Sequence, residues 1–177
     1  DDTVRLWDTG STLAQGGLRG HLDDVSSLSM DTIGDFLLSG SLDGTLILWN
    51  MKTQELVTTR EEAHLGEISS LVFQPSGTLA VSAGEDGKVK LWSLPELEPI
   101  HTFSKHRKRV TQIKFTIRGD KLLTASLDGT LGIWDWGKKR QLNEVIVKQP
   151  IIGFDLPPEG MEGVIATQKG AIRIWDF

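Results

Sequence analysis

The chain has 177 residues, with 19 basic and 24 acidic side chains for a net charge of −5, and 38% of it is hydrophobic, an ordinary composition for a globular domain. It contains no cysteine, which excludes disulfide frameworks, thiolate zinc sites and cysteine nucleophiles. No apolar run approaches the roughly 20 residues of a membrane-spanning helix, and the opening DDTVRLWD has neither the basic region nor the apolar core of a secretory signal.

The charge is unevenly placed. Residues 1–92 carry 6 basic and 14 acidic side chains (net −8), and residues 93–177 carry 13 and 10 (net +3). The chain is therefore dipolar along its length.

In chain order, the first element is the run TVRLWD, ending at Trp7. Next come VSSLSM, FLLSGS and TLILWN, ending at Trp49, then ISSLVF, LAVSAG and KVKLWS, ending at Trp92. PIHTFS, VTQIKF, LLTAS and TLGIWD lead to Trp134, and IIGFDL, GVIATQ and AIRIWD to Trp175. Alternating apolar residues in short runs predict strands with one face buried, and no helix pattern intervenes. The five tryptophans are 42, 43, 42 and 41 residues apart, a spacing that marks an internal repeat.

Other residues keep the same register. Six positions before the tryptophan stand Asp1, Asp43, Asp86 and Asp128, the last three followed by glycine as in a tight hairpin turn. Four positions before the last three of these aspartates are the hydroxyls Ser39, Ser82 and Thr124, and 22 positions before them are His21, His64 and His106. With the Gly20-His21 pair, the Trp-Asp endings and the period near 42, essentially the whole chain resembles the WD40-repeat family, whose fold is the β-propeller.

That resemblance implies an all-β, WD40-type propeller segment of four-stranded antiparallel blades. In the family's strand order d, a, b, c, the repeats are 8–49, 50–92, 93–134 and 135–175, and residues 1–7 are strand c of a preceding repeat. This makes seventeen strands in one partial propeller domain, 1–177, about four blades of an expected seven, forming an open arc unless further chain or a partner completes it. The start within the pattern and the extra strand c predict a piece of a longer chain.

Serine, histidine and aspartate together invite a hydrolase reading. The set occurs three times in register, however, at His21/Ser39/Asp43/Trp49, His64/Ser82/Asp86/Trp92 and His106/Thr124/Asp128/Trp134, whereas a catalytic constellation is needed once. The resemblance implies structural tetrads: aspartate holds histidine, histidine holds the hydroxyl, and the hydroxyl meets the indole N–H. The last repeat breaks the rule, with Lys169, Ile165 and Val147 at the aspartate, hydroxyl and histidine positions. Apolar packing is expected to hold it, with Val147 and Ile165 buried. The fourth histidine, His101, stands alone in PIHTFS, and no clustered ligand motif, calcium loop or phosphate-cradling glycine loop is present. No catalytic residue, cofactor or metal is expected.

In the family, the d-to-a and b-to-c turns share one face, where partners bind beside the start of strand a. The corresponding residues are Asp24 and Ser26, Glu67 and Ser69, Arg109 and Thr111, and Pro150 and Ile152, joined by Arg107 and Lys108 of the basic run Lys105–Arg109. This face is expected to be acidic over the first two complete blades and basic over the third. A second basic run, Lys138–Arg140, falls on the opposite side, and no aromatic residue interleaves with either run. The expected function is a non-catalytic, intracellular scaffold or adaptor, cytoplasmic or nuclear, that joins other proteins in a multi-subunit assembly. An acidic or phosphorylated segment is the partner suggested for the basic turn, and a ribonucleoprotein role with RNA on Lys105–Arg109 is the alternative.

Overall fold

The computed structural model describes residues 1–8, 10–11, 14–157 and 162–176. Among them lie seventeen strands and no helix. β1 (Thr3–Trp7) and β2 (Ala14–Arg19) form a first, two-stranded sheet. β3 (Val25–Met30), β4 (Phe36–Ser41), β5 (Leu46–Asn50) and β6 (Glu55–Arg60) form the second. The third contains β7 (Ile68–Phe73), β8 (Leu79–Gly84), β9 (Val89–Ser93) and β10 (Pro99–Phe103), and the fourth β11 (Val110–Phe115), β12 (Leu122–Ser126), β13 (Thr130–Asp135) and β14 (Arg140–Ile146). β15 (Ile151–Asp155), β16 (Glu162–Thr167) and β17 (Ile172–Asp176) make the fifth. Every pairing is antiparallel between strands consecutive in the chain, as hairpin connections require. Among the described residues, this is a WD40-type propeller segment that does not close into a ring.

The Asp-Gly turns shape the hairpins. Gly44, Gly87 and Gly129 have φ of 79°, 71° and 85°, a left-handed conformation that costs glycine little and other residues much. Each aspartate accepts the amide two residues on, Asp43 from Thr45 at 2.7 Å and Asp86 from Lys88 at 3.0 Å, which closes the turn on itself.

The period-2 alternation puts apolar residues on both faces of each central sheet. Leu37, Ile47 and Trp49 of the second sheet pack with Val4 and Leu18 of the first. Leu38, Leu46 and Leu48 point the other way, onto Ile68, Leu71, Phe73 and Trp92 of the third. Val81, Val89 and Leu91 then meet Val110, Ile113, Leu122 and Trp134, and Leu123, Leu131 and Ile133 meet Ile151, Phe154 and Ile165. Val147 and Ile165, in the repeat without register polar residues, are both buried, as expected from the sequence.

The ends of the arc lack such neighbours. Val164, Ile172 and Ile174 of the fifth sheet stand 41 residues after the buried Leu123, Leu131 and Ile133, yet Ile172 and Ile174 are 76% and 71% exposed. At the other end, Trp7 is 59% exposed where Trp49, Trp92 and Trp134 are buried. Leu28 and Met30 are exposed beside the two-stranded first sheet, whereas their equivalents Leu71 and Phe73 are covered by a four-stranded one.

Covering one such isoleucine stabilises by roughly 1.5–3 kcal/mol, and unpaired strand edges add to the drive for association. The isolated 177-residue chain is therefore expected to self-associate in light scattering, and Ile172→Lys with Ile174→Lys to reduce the associated fraction. A compact monomer of the unaltered chain would contradict this.

Candidate functional site

Three buried polar chains run through the central sheets. In the third, Trp92 Nε1 donates to Ser82 Oγ at 2.8 Å, Ser82 Oγ lies 2.7 Å from His64 Nε2, and His64 Nδ1 lies 2.9 Å from Asp86 Oδ1. An indole only donates and an ionised carboxylate only accepts, which sets the direction of the chain for a neutral imidazole. Nδ1–H of His64 donates to Asp86, and the hydroxyl of Ser82 donates to the bare Nε2. The fourth sheet repeats this with Trp134 Nε1 to Thr124 Oγ1 at 2.9 Å and Thr124 Oγ1 to His106 Nε2 at 2.7 Å. There His106 Nδ1 is shared between Asp128 Oδ2 at 3.3 Å and Thr130 Oγ1 at 3.0 Å.

The second sheet has only part of the chain. Trp49 Nε1 donates to Ser39 Oγ at 2.8 Å, and Ser39 lies 2.6 Å from His21 Nε2, but His21 Nδ1 is buried without a partner. Asp43 accepts the amides of Leu22, at 3.2 Å, and Thr45, whereas Asp86 accepts the equivalent Leu65 and Lys88 amides and the histidine as well. The difference follows the residue at the end of strand b. A Cβ on Gly84 would stand 2.6 Å from His64 Nδ1, so glycine lets that ring close on Asp86. The second and fourth sheets have Ser41 and Ser126 there, and the histidine–aspartate contact is lost in one and lengthened in the other.

The geometry resembles a hydrolase triad, but Ser39, Ser82 and Thr124 have no exposed surface and lie between packed sheets under a tryptophan. No substrate carbonyl could reach these hydroxyls, and catalysis requires a reacting atom near 3 Å.

Burial shifts the titrating groups. It pushes the His21 and His106 imidazoles below their ordinary value, outweighing the opposing pull of Asp43 and Asp128. It pushes the Asp43, Asp86 and Asp128 carboxyls up, but the hydrogen bonds they accept and the neighbouring imidazoles outweigh it and hold all three below the usual carboxylate range.

On the turn-bearing face, the hydroxyls expected to flank a partner are occupied. Ser26 Oγ donates to Ile68 O of the next sheet at 2.7 Å and lies 3.1 Å from Gly40 O of its own sheet. Ser69 makes the same pair of contacts with Val110 and Ala83, and Thr111 with Ile151, at 2.9 Å, and Ala125. Ile152 replaces this hydroxyl in the fifth sheet and is exposed, and the carbonyl of Pro150 accepts the Gln168 amide at 2.9 Å.

Arg109 is also occupied. Its guanidinium grips both carboxylate oxygens of Glu67, at 2.6 Å for the Nη2–Oε1 contact, across adjacent sheets. The sequence held a signal for this pair, since opposite charges stand one repeat apart at equivalent positions. Arg107, Lys108 and Asp24 remain exposed. The Arg107 amide is pinned by Asp128 at 2.9 Å, and the Asp24 carbonyl holds the Leu42 amide at 3.0 Å. The second basic run lies on the opposite side, in the turn following Trp136, whose indole bonds Gly119 of the a-to-b turn at 2.7 Å.

Comparison with known proteins agrees with this architecture. Residues 12–50 match the model of the WD domain, G-beta repeat, and residues 34–118 that of the anaphase-promoting complex subunit 4 WD40 domain. Over 148 residues the chain is 30% identical to mitochondrial division protein 1 of Neurospora crassa, covering 79% of this chain and 20% of that protein. It is 26% identical over 180 residues to human protein NEDD1, covering 100% of this chain and 27% of that one. It is 33% identical over 79 residues to the target of rapamycin complex subunit wat1 of Schizosaccharomyces pombe, covering 45% and 25%. The chain thus spans no more than 27% of the length of any of these three relatives.

Ser82→Ala leaves the Trp92 N–H and His64 Nε2 buried without partners, and is expected to cost about 1–3 kcal/mol in urea denaturation. Stability is also expected to fall on acidification. A group with a depressed folded pKa stabilises above its unfolded value and loses that contribution as protons bind preferentially to the unfolded chain. The loss begins near pH 6.5 for His21 and His106 and near 3.8 for the three aspartates. A urea midpoint that rises between pH 7 and 5 would contradict the assignment.

Proposed function

This chain is built of WD40 repeats, and from that premise we propose that it is a non-catalytic scaffold or adaptor joining other proteins within an intracellular multi-subunit assembly. The supporting observation is the inter-sheet stapling. Hydroxyls at three equivalent positions and the Arg109–Glu67 pair tie neighbouring sheets together, so the turns are carried on a stiff frame. Loops on a rigid scaffold lose little freedom on binding, which favours recognition. The name of one similar protein, a target of rapamycin complex subunit, and that of one matching family, the anaphase-promoting complex subunit 4 WD40 domain, also fit membership of an assembly.

The partner-binding residues in this reading are those exposed on the turn face: Asp24, which also pairs with the Asp1 ammonium at 3.1 Å, Arg107 and Lys108, with Ile152 at the end of the arc. Ser26, Ser69, Thr111, Glu67 and Arg109 position them. Residues 1–177 act as one partial propeller domain with repeats 8–49, 50–92, 93–134 and 135–175. Among the described residues, no helix is long and apolar enough to cross a membrane.

The basic turn suits an acidic or phosphorylated protein segment better than RNA. With Arg109 held by Glu67, it presents Lys105, Arg107 and Lys108 as a compact cluster rather than a stripe. Affinity purification of the full-length protein is expected to recover protein partners and to lose at least one with Arg107→Glu and Lys108→Glu. Loss of RNA alone would favour the ribonucleoprotein alternative, and a wild-type protein that recovers no partner would overturn the scaffold reading.

A further inference from the structure

The turns of the second and third sheets present a surface of different character from the basic turn. The residue after each register histidine points outward: Leu22 is 93% exposed and Leu65 76% exposed. Single exposed leucines are ordinary on protein surfaces. These two occupy equivalent positions, 43 residues apart, and both backbones are fixed, since Asp43 Oδ2 accepts the Leu22 amide at 3.2 Å and Asp86 Oδ2 the Leu65 amide at 3.3 Å. The turn aspartates therefore hold both leucine backbones in place, and Asp86 also ties Leu65 to the buried polar chain of its sheet.

The two turns are continuous. The Leu42 amide donates to Asp24 O at 3.0 Å, placing a third exposed leucine beside the first turn. The next turn sits directly on the Asp43–Gly44 hairpin, where the His64 amide donates to Gly44 O at 3.2 Å. Glu85 reaches the same turn, and a Cβ on Gly66 would stand 3.1 Å from its Oε2.

The exposed charged residues on these turns are acids, while the Lys90 ammonium is held by the Ala63 carbonyl and Arg109 by Glu67. Asp23, Glu61, Glu62 and Glu85 are exposed on the same turns, and none forms an ion pair among the described residues. One repeat later the corresponding turn reads His106-Arg107-Lys108, where leucine and acid give way to cations.

We propose that Leu22, Leu42 and Leu65, with Asp23, Glu61, Glu62 and Glu85 around them, form a docking surface for a basic, leucine-bearing segment of a partner protein. Charge complementarity selects this occupant, since a lysine- or arginine-rich chain is drawn to the acids while its apolar side chains cover the three leucines. The same acids repel nucleic acid and anionic membrane surfaces. The surface rests on the scaffold reading and gives it a second partner class, opposite in charge to the one suggested for the basic turn.

The test measures fluorescence anisotropy of a labelled 12-residue peptide, leucine alternating with lysine and arginine, added to the full-length protein. Binding is expected to weaken about tenfold or more with Leu22→Ser and Leu65→Ser, and likewise with Glu61→Lys, Glu62→Lys and Glu85→Lys. Lys138→Ala with Lys139→Ala, on the opposite side, is expected to leave it unchanged. All these side chains are exposed, and an unchanged circular dichroism spectrum checks that the variants fold. No binding, or equal binding of a peptide with serine in place of leucine, would overturn the proposal. In affinity purification, partners that survive Leu22→Ser and Leu65→Ser but are lost with Arg107→Glu and Lys108→Glu would overturn it while leaving the scaffold reading intact. A wild-type protein that binds the peptide but recovers no partner would overturn the scaffold reading instead.

Discussion

A β-sheet with two apolar faces is stable only with a neighbour on each side, and the structure of this chain depends on how far that condition is met. In the third sheet Trp92 and Leu71 cover one face and Leu91 and Val89 the other, and each finds a partner sheet. At the ends the same register positions reach solvent, at Trp7, Leu28 and Met30 on one side and at Val164, Ile172 and Ile174 on the other. Nothing in the side chains themselves separates Ile172 from Leu131. The difference is whether a next sheet lies against them.

Apolar contact alone is non-directional and leaves the sheets free to slide. Polar groups fix their relative position. The hydroxyls of Ser26, Ser69 and Thr111 each reach a carbonyl of the following sheet, and Arg109 grips Glu67 across another boundary. Inside each central sheet, the indole, hydroxyl and imidazole are hydrogen-bonded beneath the packed surface. In the third sheet this chain ends on the Asp86 carboxylate, which also holds the Leu65 amide of the outer turn. One aspartate thereby connects the buried network to the surface from which a leucine projects, so core order and surface geometry are coupled.

The charge asymmetry acquires a location in the same way. The excess of acid in residues 1–92 contributes exposed carboxylates around Leu22 and Leu65, whereas the basic excess further on contributes Arg107 and Lys108 to the next turn of the same face. Two neighbouring regions of opposite sign thus stand on one stiff frame, which is the basis of the two partner classes proposed above.

The sequence by itself determined the repeat, the all-β architecture and the order of the strands. Those depend on local rules: a period-2 alternation, an Asp-Gly pair wherever the backbone must turn left-handed, and a tryptophan every 42 residues or so. It also showed which residues share a register, and that the last repeat, with Val147 and Ile165, is held by apolar packing. Only the tertiary structure decided what each register position does. Ser41 against Gly84 decides whether a histidine closes on its aspartate, because a single Cβ at that point meets the imidazole ring. Glu67 decides that Arg109 is a staple rather than a free cation. The turn amides pinned by Asp43 and Asp86 decide that Leu22 and Leu65 face outward. These outcomes arise from contacts between residues about 20 or 42 positions apart, whose distances are set by how sheets stack and not by any pattern local to the chain.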